Sequence, residues 1–204
     1  MKKTFSVAAV FAAALLWSCG GGGDHDSTSD TAGMETTPTT TMPDTTSMAP
    51  PPPTYDATPL EKADKDFVVK AASGGIMEVE LGNIAQQNAA SQRVKDFAAM
   101  LVRDHSKAND ELNALASAKG TMINKDSLLN LHKGHIESLQ KKTGAEFDKA
   151  YMKMMVSDHQ EDVSKFQNKA NNGKDSALKT WAAATVPTLR MHLDSAKAIN
   201  SSLK

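Results

Sequence analysis

The second of four long amphipathic segments reads VKDFAAMLVRDHSKANDELNAL over residues 94–115. Its apolar side chains recur every three or four positions, the spacing that places them on one face of an α-helix. That face carries Val94, Phe97, Leu101, His105, Ala108, Leu112 and Leu115. The segment is therefore expected to bury one face in a helical core, with a histidine in the middle of that face.

The same pattern recurs and predicts an all-α domain of four long helices. Capping boxes at Thr58–Glu61, with Pro59 in the first helical position, and at Thr143–Glu146 predict the starts of the first and third helices. Ser91 and Asp175 are the expected N-caps of the second and fourth. The expected segments, caps included, are residues 58–89, 91–120, 143–173 and 175–204, with a short crossover helix at about 126–142 between the second and third. Such lengths and short turns are typical of a four-helix bundle.

Residues 1–19 have the order of a secretory signal peptide: two lysines, an apolar run over 5–17, and then Cys19. The apolar run is too short to span a bilayer. Leu, Trp and Ser directly before Cys19 resemble the bacterial lipoprotein cleavage box, in which the cysteine is lipidated and becomes the mature N-terminus. The alternative is an ordinary cleaved signal with an incidental cysteine. Gly20, rather than Asp, favours sorting to the outer membrane of the cell envelope.

Residues 20–58 differ in composition from everything that follows. They begin with four glycines, are rich in threonine, and include the proline run at 50–53. Such a segment cannot bury enough apolar surface to offset the entropy of ordering it. We expect residues 20–58 to form a disordered tether between the lipid anchor and the bundle domain, 59–204. This tether would hold the domain away from the membrane.

Charge and cysteine content exclude several classes of protein. With 23 Lys+Arg against 24 Asp+Glu, the chain has no basic excess that could bind nucleic acid. A single cysteine excludes an internal disulfide and a cysteine-rich zinc site. The chain also lacks a Gly-x-Ser-x-Gly motif or a free cysteine nucleophile, so an ordinary hydrolase is not expected. Histidine and carboxylate side chains remain as metal ligands.

Each long helix is predicted to place one ionisable side chain near its middle on the core face: Glu78, His105, His159 and His192. Counting from the turns puts these four groups at roughly similar heights in the bundle. One glutamate and three histidines are a suitable ligand set for Zn, Mn, Fe or Cu. Because neighbours on a helix point apart, any help that Asp104 and Asp158 give in orienting a ligand is expected to go to a histidine other than the adjacent His105 or His159.

Two other interpretations of these residues stay open. The four groups could form a polar core layer that fixes helix register without an ion. His132 and His135 on the crossover helix could bind a metal weakly, although the better interpretation is that both are exposed surface histidines. Gly74 and Gly75 interrupt the first helix and indicate a kink or a close contact between helices.

Nine segments, in order along the chain, carry a resemblance to a known family: Asp66–Val68, Ala71–Gly75, Glu78–Gly82, Asp104–Asn109, Gly144–Asp148, Tyr151-Met152, Asn172–Asp175, Pro187–Leu189 and His192-Leu193. Over about residues 62–200 the chain resembles the bacterial envelope family catalogued as domain of unknown function 4142. The resemblance implies a ferritin-like fold and no established activity. The chain departs from ferritin-like di-iron enzymes because Val102, Val156 and Leu189 stand where a Glu-x-x-His motif would need glutamate.

Two functions therefore compete. The first is a lipid-anchored envelope bundle that binds a divalent metal in its core. The second is a non-enzymatic interaction protein, such as a stress-linked scaffold, whose polar core is structural. Elemental analysis of the purified protein discriminates between them, because only the first requires an ion.

Overall fold

The computed structural model describes residues 54–124, 130 and 132–203. Within them the chain forms four long helices and one short one: α1 Lys62–Asn88, α2 Gln92–Ala118, α3 Lys133–Gln140, α4 Gly144–Asn172 and α5 Ser176–Ser202. The prediction of an all-α four-helix bundle with a short helix between the second and third long helices is confirmed. Cys19 and the predicted signal peptide and most of the tether lie outside the described residues.

The bundle consists of two helical hairpins. Helix α1 packs along α2, and α4 packs along α5, while α2–α5 and α1–α4 contacts join the two pairs. The short helix α3 contacts α1 and α4 and buries Leu139. This arrangement brings one face of every long helix to a common core.

The core contains two apolar clusters. One cluster is built around Leu81, Leu101 and Met155, and the other around Leu112 and Leu178. On α2, α4 and α5, the ionisable side chain predicted for the core falls between the residues of one cluster and those of the other, and on α1 Glu78 directly follows Met77, the first residue of its cluster on that helix. A polar layer therefore crosses the middle of the bundle and is shielded by apolar side chains on both sides.

Two glycines of α1 allow a close approach to α2. A Cβ atom at Gly75 would lie 2.3 Å from Asn109 Oδ1, and one at Gly82 would lie 2.5 Å from Val102 Cγ2 and 3.1 Å from the carbonyl oxygen of Ala98. The expectation of a close helix contact is thus confirmed at Gly75. The two glycines are seven residues apart, so they lie on the same face of α1.

The start of α1 differs from the prediction. The helix begins at Lys62, its N-cap is Glu61, and no capping box forms at Thr58. The Thr58 N–H donates instead to Asp56 Oδ1, at 3.0 Å. The preceding segment is held in an extended form because Leu60 is buried in the core and the Lys119 ammonium contacts Asp56 Oδ1 at 3.0 Å. Tertiary contacts therefore override the local helix-start signal.

The other long helices begin close to the predicted positions, but not all of them are capped by the predicted side chains. The Asp175 side chain accepts from the Leu178 N–H at 2.8 Å, as a helix cap should. Ser91 and Thr143 occupy the predicted N-cap positions, but neither side chain makes a capping hydrogen bond. At α2 the cap comes from α4, since Asp148 accepts from the Ala90 and Ser91 N–H groups at 3.2 and 2.9 Å.

The crossover differs from the prediction because His132 lies in a turn and the helix after it begins at Lys133. Where the sequence indicated a helix over about 126–142, the described part of the connection has its helix at Lys133–Gln140, and residues 125–129 and 131 lie outside the described residues. His135 is exposed and His132 is half-buried. None of the helices described is long and apolar enough to cross a membrane.

Candidate metal centre

The structure brings all four predicted site residues together in the polar layer. Glu78 of α1 and His159 of α4 have no exposed surface, and His105 of α2 and His192 of α5 are almost as deeply buried. Each comes from a different long helix, and each interrupts the apolar stripe of its helix at the same level of the bundle. A buried polar group needs a partner, so the contacts among these four determine what the layer can do.

Glu78 lies against two of the three imidazoles. Its Oε2 atom is 2.9 Å from Nδ1 of His105, and its Oε1 atom is 3.3 Å from Nδ1 of His159. Neither carboxylate oxygen has a hydrogen bond of good geometry within the described residues. Glu78 therefore places its carboxyl group against two imidazoles, while its own oxygens have no hydrogen-bond donor among the described residues.

The hydrogen bonds of His159 and His192 fix where the protons of these two imidazoles lie. His159 Nδ1 is 3.0 Å from the Met155 carbonyl oxygen, and His192 Nε2 is 3.0 Å from Asp104 Oδ2. A carbonyl and an ionised carboxylate only accept, so both of these ring nitrogens carry hydrogen. In the neutral rings, the lone pairs are then on His159 Nε2 and His192 Nδ1.

Those two lone-pair nitrogens face each other at 3.3 Å. In addition, His105 Nε2 is buried without a hydrogen-bond partner among the described residues. One ring nitrogen from each of His105, His159 and His192 lies within 4.8 Å of the others. The three imidazoles thus converge on a common point, and none of the residues in the described part of the chain donates to all three.

Burial determines the charge state of the layer. Removal from water lowers the pKa of His105 and of His192 to about 4, and it lowers the pKa of His159 as well. Burial raises the pKa of the Glu78 carboxyl to about 8, opposed by the nearby His159. At neutral pH the imidazoles are therefore neutral, which is the form that binds metals. The Glu78 carboxyl is mostly protonated in the metal-free protein, and a cation bound beside it would favour its ionised form.

Three neighbouring residues add to the site. Asp104 contacts His192 rather than its own neighbour His105, as the helix geometry predicted. Asp158 and Asp162, four residues apart on α4, reach the Glu78 carboxylate, and one oxygen from each of the three lies within 4.8 Å of the others. Sequence reasoning missed Asp162, although its spacing from Asp158 places both on one helix face.

Comparison with solved structures supports the architecture. A crystal structure of a DUF305 fragment from Deinococcus radiodurans is similar, with a TM-score of 0.61, 12% sequence identity, and coverage of 71% of this chain and 99% of that chain. At this identity the likeness shows the fold alone, which is a ferritin-like helical bundle.

Sequence comparison settles the family. No curated protein matches the chain. The family model described as Domain of unknown function (DUF4142) matches residues 49–199, which is most of the chain. This match confirms the resemblance noted from the nine sequence segments, and the chain belongs to the DUF4142 family.

Proposed function

We propose that this protein is a lipid-anchored helical bundle of the cell envelope that binds a divalent metal ion in its core. His105, His159 and His192 supply the nitrogen ligands, and Glu78 supplies negative charge directly beside them. The observation that carries the proposal is the pair of lone-pair nitrogens, His159 Nε2 and His192 Nδ1, that face each other at 3.3 Å.

Two facing lone pairs repel each other unless a positive charge lies between them. A proton could provide it, but the imidazolium form is disfavoured in this buried layer. A metal ion satisfies both nitrogens at once. Two nitrogen ligands on tetrahedral zinc, each at about 2.0–2.1 Å, are roughly 3.3–3.4 Å apart, which agrees with the observed separation.

The remaining contacts support the same function. The opposite nitrogens of His159 and His192 are held by the Met155 carbonyl and the Asp104 carboxylate, an arrangement typical of metal-bound histidines. Glu78 lies on the Nδ1 side of His105 and His159, which favours an orienting and charge-balancing role for it. A ligand set of three imidazoles and a carboxylate suits zinc, copper or iron. It also suits manganese where oxygen ligands complete the coordination.

Zinc binding to the full chain tests the metal part of this proposal. We expect equilibrium dialysis to give tight Zn²⁺ binding by the wild type, and His105→Gln, His159→Gln and His192→Gln each to weaken it at least about 100-fold, more than loss of an outer-shell partner would. Glutamine roughly preserves volume, and circular dichroism checks that each variant folds.

His135→Gln is the matched control, because His135 is exposed on α3, away from the polar layer. It is expected to bind zinc as the wild type does. If the three core variants also retain wild-type binding, or if the wild type binds no zinc, the polar layer is structural. The interaction-protein alternative then becomes the better account.

The membrane part of the proposal rests on the sequence of residues 1–58. The lysines and the short apolar run end at Cys19, the single cysteine of the chain, and the segment after it is rich in threonine and proline. We propose that Cys19 carries the lipid, that residues 20–58 act as a spacer, and that the anchor lies in the outer membrane.

Cys19→Ala tests the anchor in bacterial cells. The substitution is expected to move the protein from the detergent-extractable membrane fraction to the soluble fraction, or to leave an unprocessed precursor, since lipidation needs the thiol. Fractionation followed by mass measurement records both outcomes. A Cys19→Ala protein of normal size that stays in the membrane fraction shows that the lipoprotein interpretation is wrong.

A further inference from the structure

A second group of ligand atoms lies next to the imidazoles and consists of oxygen alone. Glu78, Asp158 and Asp162 each contribute a carboxylate oxygen, and these three atoms lie within 4.8 Å of one another. Glu78 belongs to α1, whereas Asp158 and Asp162 lie one helical turn apart on α4. The group therefore joins the two hairpins at the level of the polar layer.

These carboxylates are short of partners. Both oxygens of Glu78 and Oδ2 of Asp158 are buried and have no hydrogen-bond partner in the described part of the chain. Lys165, the cation next along the helix, contacts Glu161 instead, at 2.5 Å. Buried carboxylates usually accept several hydrogen bonds, and carboxylates this close to one another repel. The group needs either a cation or protons.

A small cavity adjoins the group. Its volume is about 20 Å³, and Glu78, Asp162, His105 and Trp181 are among the residues that line it. That volume is enough for one water molecule or one ion. Glu78 has no exposed surface and lines this space, and neither of its oxygens has a hydrogen-bond partner among the described residues. Unpartnered carboxylate oxygens beside a space of this size indicate a missing occupant.

We propose that a hard divalent cation of the Mn²⁺ type binds at Glu78, Asp158 and Asp162, as a second site separate from the three imidazoles. Oxygen-only ligand sets select such cations, whereas imidazoles favour zinc and copper. This inference goes beyond the proposed function and shares Glu78 alone with it. The cation neutralises the carboxylates and fills the space beside them.

The test uses the metal-free full chain, first given one equivalent of Zn²⁺ and then titrated with Mn²⁺. Electron paramagnetic resonance measures free Mn²⁺, because the sharp signal of the aqueous ion is lost on binding. The wild type is expected to bind one Mn²⁺ per chain, and Asp162→Asn is expected to weaken that binding at least tenfold. Glu161→Gln is the matched control, since Glu161 is the exposed neighbour of Asp162, and it should bind as the wild type does.

His192→Gln separates the two sites, because His192 belongs to the imidazole set and not to the carboxylate set. Mn²⁺ binding that survives His192→Gln and is lost in Asp162→Asn supports a second site, whatever happens to zinc. The proposal is overturned if the wild type binds no Mn²⁺, if Asp162→Asn binds it equally well, or if both variants lose binding. Absence of binding by the wild type would mean that the cavity holds water only. If Asp162→Asn does not fold, Asp158→Asn replaces it under the same criteria.

Discussion

Zinc held at about 1,000 times its dissociation constant is expected to raise the free energy of unfolding of the wild-type chain by about 4 kcal/mol, because an ion that binds only the folded state stabilises it by mass action. For a domain of this size, that corresponds to a rise in melting temperature of roughly 8–16 °C. The imidazoles of His105, His159 and His192 converge only when all four long helices are in place. Thermal unfolding followed by circular dichroism, in zinc and in chelator, measures the difference.

His159→Gln should remove this stabilisation, since His159 contacts both Glu78 and His192. In chelator the variant should still unfold cooperatively, which shows that the lost response concerns the ion and not the fold. Zinc that stabilises the variant as much as the wild type would place the bound ion elsewhere on the chain.

Lowering the pH from 7 to 4 is expected to reduce the free energy of unfolding of the metal-free wild type by about 3 kcal/mol more than that of His105→Gln. Burial lowers the pKa of His105 from 6.5 to about 4 in the folded state. The unfolded chain therefore takes up a proton near pH 6.5, while the folded chain does so near pH 4. The stability that depends on neutral His105 is present above pH 6.5 and is lost as the pH falls toward 4.

Urea unfolding of both proteins in chelator, at a series of pH values, measures this difference. The pKa of Glu78 is raised to about 8, which acts in the opposite direction, but burial is the largest cause of that rise and is shared by both proteins. Parallel pH profiles for the wild type and His105→Gln would show that His105 titrates normally in the folded state.

The sequence predicted the helices and the inward-facing histidines because both depend on local periodicity. His105 and His159 each interrupt an apolar stripe of one helix, and that pattern is visible in a single segment. The prediction that Asp104 would assist a different histidine also needed only the geometry of one helix. These parts of the site could be derived without knowing how the helices pack.

Other features depend on neighbouring helices and could not be read from one segment. The cap of α2 comes from Asp148 on α4, and the start of α1 is displaced because Lys119 holds Asp56 in the preceding segment. Asp162 was missed for a related reason: it looks like a surface residue of α4 until Glu78 of α1 is placed beside it. Long-range packing decides each of these positions.

The zinc K-edge X-ray absorption spectrum of the loaded full chain tests the central claim most directly, because it reports the atoms bound to the metal. The account predicts imidazole nitrogens at about 2.0–2.1 Å, with three rings in the wild type and one fewer in His192→Gln. A wild-type spectrum with oxygen ligands alone, or one that His192→Gln leaves unchanged, would contradict it.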